Sequence, residues 1–174
     1  MQRLTLWHEP QYFQFFIQDP ASDMTILEAQ STYRILERQR FYCGGGLAIV
    51  RVVSEFTRIP VAVEFDNGQP EAADFEKWDR IIECSIEVNS GEIAFVGCPD
   101  GPIHGKFGSL MVIPGRYRLR VYFGGQDVSQ DDGETGDFYL IQVWPSEEIN
   151  SVVIKGHERS QVCFSSAHST QNGH

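Results

Sequence analysis

At 174 residues the chain has the length of one ordinary domain with a real core, and 41% hydrophobic with 12% aromatic content excludes a disordered protein. A formal charge of −10 argues against direct binding of DNA or RNA, because phosphate recognition relies on clustered Lys and Arg. No apolar run approaches the length of a membrane span and the N-terminus carries no signal-peptide pattern. Cysteines 43, 84, 98 and 163 form no CxxC pair, so cytoplasmic, free thiols are expected.

In chain order, Leu4–Trp7 and Tyr12–Gln18 read as short strands around the turn His8-Glu9-Pro10-Gln11, and Tyr12, Phe13, Phe15, Phe16 and Ile17 point the second one into a core. Asp19–Asp23 is a turn by composition. A short helix is predicted within Ser31–Gln39, ended by Cys43-Gly44-Gly45-Gly46. The glycines are followed by no Gly-Lys-Ser/Thr, so they read as a lead-in to the next strand and not as a phosphate cradle. Leu47–Val53 and Pro60–Phe65 are expected to pair as a hairpin. In the linker at 71–79, Phe75 and Trp78 are spaced to pin it onto the sheet. Arg80–Val88 and Glu92–Val96 read as a hairpin through Asn89-Ser90-Gly91.

Lys106–Ile113 is a further strand that turns at Pro114-Gly115. In Arg116–Phe123, Tyr117, Leu119 and Val121 alternate with Arg116, Arg118 and Arg120, the period of a strand with one buried face. Asp137–Trp144 is its aromatic, β-branched hairpin partner, and Asn150–Lys155 is the last strand. About ten short strands with turn chemistry between them predict an all-β, single-domain antiparallel β-sandwich over residues 1–155, with one short helix after the N-terminal strands. Residues 156–174 read as a polar, disordered tail.

Charge is segregated along this chain. Residues 64–101 hold ten carboxylates against Lys77 and Arg80, a net of −8, whereas 102–123 hold Lys106 and three Arg with no acid. The loop 124–137 adds Asp127, Asp131, Asp132, Glu134 and Asp137 with no base. Flexible at its glycines and held by strands, this loop is the candidate contact surface for a basic protein partner. It is equally a solvated hairpin tip. Arginines 116, 118 and 120 read first as a solvent face making cross-strand ion pairs, and second as an anion site.

Catalytic and metal signals are weak. Asp127–Asp131 places oxygens at alternate positions, but position six is Asp132 and position twelve Phe138, so the EF-hand pattern fails. The His and Cys residues are not at zinc-site spacing, and no Gly-x-Ser-x-Gly elbow is present. Cys43 reads as a structural thiol. Neither a catalytic set nor a cofactor is expected, and the alternative to partner binding is a ligand- or calcium-binding sandwich module.

The succession LTLWHEPQYFQFFIQDP, a helical piece, IPVAVEF, an Asn-Ser-Gly-Glu-Ile turn, IPGRYRLRVYF and DFYLIQVWP resembles the competence protein J family of bacterial β-sandwich proteins, inhibitors of a DNA-entry nuclease. The resemblance spans roughly residues 4–145. It implies a non-enzymatic protein that occludes a basic nuclease, and it carries over no individual contact residue.

Overall fold

The computed structural model describes residues 1–23, 30–97, 105–126 and 136–156. Two sheets and one helix occupy them. The six-stranded sheet is built from β1 (Gln2–His8), β5 (Ile59–Phe65), β10 (Phe138–Pro145), β9 (Gly115–Gly124), β6 (Arg80–Val88) and β11 (Val152–Lys155), in that spatial order. The five-stranded sheet runs β3 (Phe41–Gly44), β4 (Leu47–Arg51), β2 (Gln14–Gln18), β7 (Glu92–Gly97) and β8 (Lys106–Met111). The expected all-β class holds. The expected tail at 157–174 lies outside the described residues, and among those described no helix is long and apolar enough to cross a membrane.

Both sheets contribute to one buried cluster. Phe15, Ile17, Val50, Ile93 and Phe95 from the smaller sheet join Val61, Val63, Cys84, Ile86, Leu119, Val121, Ile141 and Val143 from the larger. These residues fall on alternate positions of their strands, which is how the period of two becomes a core. Helix α1 (Gln30–Gln39) covers the other face of the small sheet, where Leu36 packs on Phe16, Leu47 and Ile49. It stops at Arg40, whose φ of 56° is left-handed. The glycines lie beyond it, with Gly45 at φ 59° in the two-residue loop of the β3–β4 hairpin.

Two expectations are corrected by the pairing. The larger sheet is mixed, not antiparallel, because β10 uses its second edge to pair with β5 in parallel register from Tyr139↔Val61 to Val143↔Phe65. In addition, β4 and β5 do not form a hairpin, nor do β6 and β7: each couple is split between the sheets. Their short connections are corners. Apolar alternation is the same for either kind of neighbour, so the sequence pattern does not separate a hairpin from a corner.

Buried carboxylates hold the corners. Asp19, 1% exposed, accepts from the backbone N–H of Asn89 (2.7 Å) and Ser90 (3.3 Å) at the β6–β7 corner, and from Ala21 N (3.0 Å) in its own turn. Burial pushes its pKa up, but the donors of Ser90, Asn89 and Ala21 outweigh this and leave the carboxyl below its usual range.

The arginine strand, β9, is buried on both faces. Arg118 and Arg120 are 1% and 4% exposed, so the expected solvent face is covered, although the expected cross-strand ion pairs do form. Register places Glu83 opposite Arg120 and Ser85 opposite Arg118. The Glu83 carboxylate takes Arg120 Nε at 2.5 Å and Arg118 Nη2 at 3.1 Å. Two irregular segments close this face. Asn150 O accepts from Arg118 and Glu148 O from Ser85 Oγ (2.6 Å), while Glu71 O accepts from Gln142 Nε2 (2.9 Å). Trp78 packs on Tyr122 at 5.2 Å and Phe75 at 6.5 Å, as their spacing predicts.

Two predictions follow from these buried groups. Glu83→Gln takes away the carboxylate that both desolvated guanidiniums share, leaving Arg120 with neutral acceptors and Arg118 with only the exposed Glu148 carboxylate at 3.5 Å as counter-charge, and urea denaturation is expected to show a loss of about 3–5 kcal/mol. Replacing Glu83, Arg118 and Arg120 together by Met, Leu and Met is expected to cost far less. The second concerns His8, which stacks on Phe107 at 4.2 Å and whose Nε2 has no partner. Burial, opposed only by a hydrogen bond at the Gln14 backbone, pushes its pKa from 6.5 down to about 4. Between these values the unfolded chain takes up a proton that the folded chain refuses, so this contribution is complete above pH 6.5 and lost as pH falls towards 4. His8→Phe is expected to flatten that limb of the stability–pH curve.

Candidate functional site

Of the five carboxylates expected to form a contact loop, Asp127, Asp131, Asp132 and Glu134 lie outside the described residues. Asp137 is described, and it departs from the expectation: it is 2% exposed. Its carboxylate accepts from Val53 N (3.0 Å), Ser54 N (3.3 Å), the Ser54 hydroxyl and the Tyr139 hydroxyl (2.7 Å). Burial, followed by the neighbouring Asp137 charge, raises the Tyr139 pKa, which keeps the phenol a donor. A carboxylate with four donors is stabilised inside the protein where a bare one is not. Asp137 is therefore a clasp between the start of β10 and the β4–β5 corner, not a displayed charge.

The other end of the acidic segment is tied as well. Gln126 N donates to Asp79 Oδ2 at 2.8 Å, and Asp79 N donates to Phe123 O at 2.8 Å. Phe138, 38% exposed, lies 5.2 Å from Trp78 across the same end of the sheet. The described residues on either side of 127–135 are thus two hydrogen-bonded posts.

Beside the Asp137 clasp is a surface that the sequence reading missed. The β4–β5 corner continues from Ser54 to Phe56, which is 65% exposed with φ 57°. Its N–H donates to Pro10 O (2.9 Å), and Glu55 Oε1 accepts from Tyr12 N (3.0 Å), joining this corner to the β1–β2 turn. In that turn Tyr12 and Phe13 both have φ 56°, between the bridged residues Gln11 and Gln14. Two successive positive φ values define a turn that Asn-Gly would occupy without strain, and bulky aromatics there cost on the order of 1–3 kcal/mol each. Tyr12 is nevertheless 56% exposed, and the half-exposed Trp7 ring lies under the Arg58 guanidinium at 5.2 Å. Exposed aromatics on strained, cross-braced loops have the composition of the centre of a protein interface. The only sequence signal was the excess of aromatics at 12–16, which had been assigned wholly to the core.

Among the described residues no three His, Cys, Asp or Glu side chains come together as a metal site. The calcium reading falls on 127–133, outside the described residues. Cys43 donates its thiol to Ser85 O (3.3 Å), and the adjoining Cys84 is fully buried, which raises its pKa and keeps it a thiol. The interior carboxylates Asp19, Glu83 and Asp137 are each consumed by hydrogen bonds or ion pairs.

Removing the clasp should show its role directly. Asp137→Ala leaves the Val53 and Ser54 amides and the Tyr139 hydroxyl without their acceptor, a destabilisation of about 3 kcal/mol by chemical denaturation. Hydrogen exchange at Val53 and Ser54 is expected to accelerate in the same variant while exchange in β9 follows global stability.

No family model and no curated protein matches the sequence. Among solved structures, the crystal structure of ComJ from Bacillus subtilis, inhibitor of the DNA-degrading activity of NucA, matches with a TM-score of 0.58 at 14% identity, over 84% of this chain and 96% of that one. A structure described as crocagin biosynthetic gene J matches with a TM-score of 0.50 at 16% identity, over 84% of this chain and 99% of that one. At such identities the likeness is one of fold, and at that level this chain resembles ComJ, an inhibitor of a nuclease.

Proposed function

We propose that this chain is a non-catalytic, cytoplasmic β-sandwich that inhibits a basic protein partner of the nuclease type by covering its cationic surface. The observation that carries the reading is the pairing, at one end of the molecule, of the two hydrogen-bonded anchors of an acidic segment with strained, exposed aromatics. Asp137 and Asp79 secure the ends of the segment that bears Asp127, Asp131, Asp132 and Glu134. Phe56 stands on the corner that Asp137 braces, and Tyr12 on the turn hydrogen-bonded to that corner. A nuclease binds phosphate with Lys and Arg, and carboxylates at similar spacing satisfy the same groups. The aromatics supply the desolvated contact that charge alone does not. The fold shared with ComJ supports the same reading.

The reading distributes roles that separate in experiment. The four carboxylates Asp127, Asp131, Asp132 and Glu134 act in steering and in opposing the partner's cations, and Asp137 contributes by holding their loop. With a co-purifying nuclease identified, one equivalent of the chain is expected to suppress its DNA cleavage. Replacing these four acids by Asn and Gln is expected to weaken binding on the order of 10-fold to 100-fold and to flatten its salt dependence. Tyr12→Ala with Phe56→Ala is expected to cost about 2 kcal/mol of affinity with the salt dependence unchanged. Unchanged affinity and salt dependence in the acid variant remove the loop from the mechanism, and undiminished cleavage at saturating chain ends the inhibitor reading.

A further inference from the structure

A second feature lies away from this surface, where the edges of the two sheets approach one another. A cavity of about 370 Å³ opens between the end of α1, β3 of the small sheet and β6 with β11 of the large one. Ile35, Phe41, Ile82, Val152 and Val153 give it apolar walls. Its charged lining is Arg80 and Arg38, with no carboxylate among the described residues that line it. In a chain of net charge −10 that is a local inversion of sign.

Arg80 is the unusual member. By the alternation of β6 it shares the inward parity of Ile82 and Cys84, so a guanidinium sits where the pattern calls for an apolar side chain. It is 6% exposed. One nitrogen, Nη1, donates to Gln39 O at the end of α1, but Nε has no partner, and among the described residues no ion pair joins Arg80 to an acid. Arg118 and Arg120, equally buried, share Glu83. Instead of an acid, Arg80 faces the charge of Arg40, which, after burial itself, disfavours its protonated form. A buried cation with a like neighbour and no counter-charge is destabilising until an anion arrives.

We infer that this cavity is a binding site for a small carboxylate with an apolar body, its head group paired with Arg80 and its chain against Ile35, Phe41, Ile82 and Val153. The volume falls at the small end of ligand pockets, about 300–1,000 Å³. With Nη1 taken by Gln39 O and Nε unpartnered but shut away, Nη2 is the guanidinium donor left for an incoming carboxylate. Arg38 at the rim adds attraction to an incoming anion. The site is independent of the partner-binding reading: it uses none of the residues at 7–12, 53–58 or 127–137.

The test uses the full chain with decanoate, decanol and acetate as probes, read by calorimetry and thermal unfolding. Decanoate is expected to raise the unfolding midpoint by about 3 °C or more at saturation, decanol less, and acetate not measurably. Arg80→Met is expected to lower decanoate affinity by about tenfold or more and to abolish its advantage over decanol. Ile35→Trp, which fills the cavity from the helix side and keeps Arg80, is expected to weaken both long-chain probes. Equal binding of decanoate and decanol to the unaltered chain overturns the proposal, as does undiminished decanoate binding in Arg80→Met. If Arg80→Met does not fold, undiminished binding in Ile35→Trp overturns it instead.

Discussion

The carboxylate of Glu83 lies between two guanidiniums that the fold has taken out of water, and the arrangement of the six-stranded sheet depends on that contact. Arg118 and Arg120 project from the face of β9 opposite the main core, where solvent would ordinarily screen them. Once segments 71–78 and 146–151 cross that face, each charge needs a specific partner or the covering segments could not settle there. Glu83 supplies it to both arginines. Gln142 Oε1 accepts from Arg120 and Asn150 O from Arg118, the Tyr122 hydroxyl and Glu71 O complete the bonding of Gln142, and Trp144 stacks on Arg120 at 5.1 Å. The outcome is a central strand buried on both sides, with a mainly apolar face and a paired polar one.

The same economy of charge appears at the corners between sheets. Asp19 and Asp137 are acids in a strongly acidic protein, yet neither carboxylate is open to contact at the surface. Each is spent on backbone amides that a corner leaves unpaired, since a chain crossing between layers cannot satisfy them by strand pairing. A formal charge of −10 therefore overstates what a partner would meet in some places and conceals a local excess of arginine in others, as around Arg80. The posts at Asp79 and Asp137 also explain how the two flanks of an acidic segment and an aromatic surface come to share one end of the molecule. Asp137 is hydrogen-bonded to the loop that carries Phe56, and that loop is in turn bonded to the one that carries Tyr12.

Much of the fold was legible from residues near one another in sequence. The alternation in Arg116–Phe123 located β9 and its inner face, the aromatic and β-branched run after Asp137 located β10, and α1 covers the expected Ser31–Gln39. The poorer alternation of β10 also had a meaning: both of its faces are covered, so neither needed to be polar. The candidate site was less legible. Asp137 was grouped with its acidic neighbours because composition does not report which carboxylate turns inward. Tyr12 and Phe56 were hidden because an aromatic residue in a strand-rich sequence is core by default, and no local pattern announces a positive φ in Tyr or Phe.

The sequence by itself determined the all-β class, the inward faces of the strands, the helix and the segregation of charge, because each is set by periodicity or by composition over a few residues. Only the tertiary structure decided which short connections turn back within a sheet and which cross to the other, why one sheet is mixed, and which charged residues lie inside. Those outcomes depend on pairings between residues far apart in the chain: Glu83 with Arg118 and Arg120, Asp19 with Asn89, Asp137 with Ser54. A side chain with one period and one charge can satisfy either environment until its distant partner is in place.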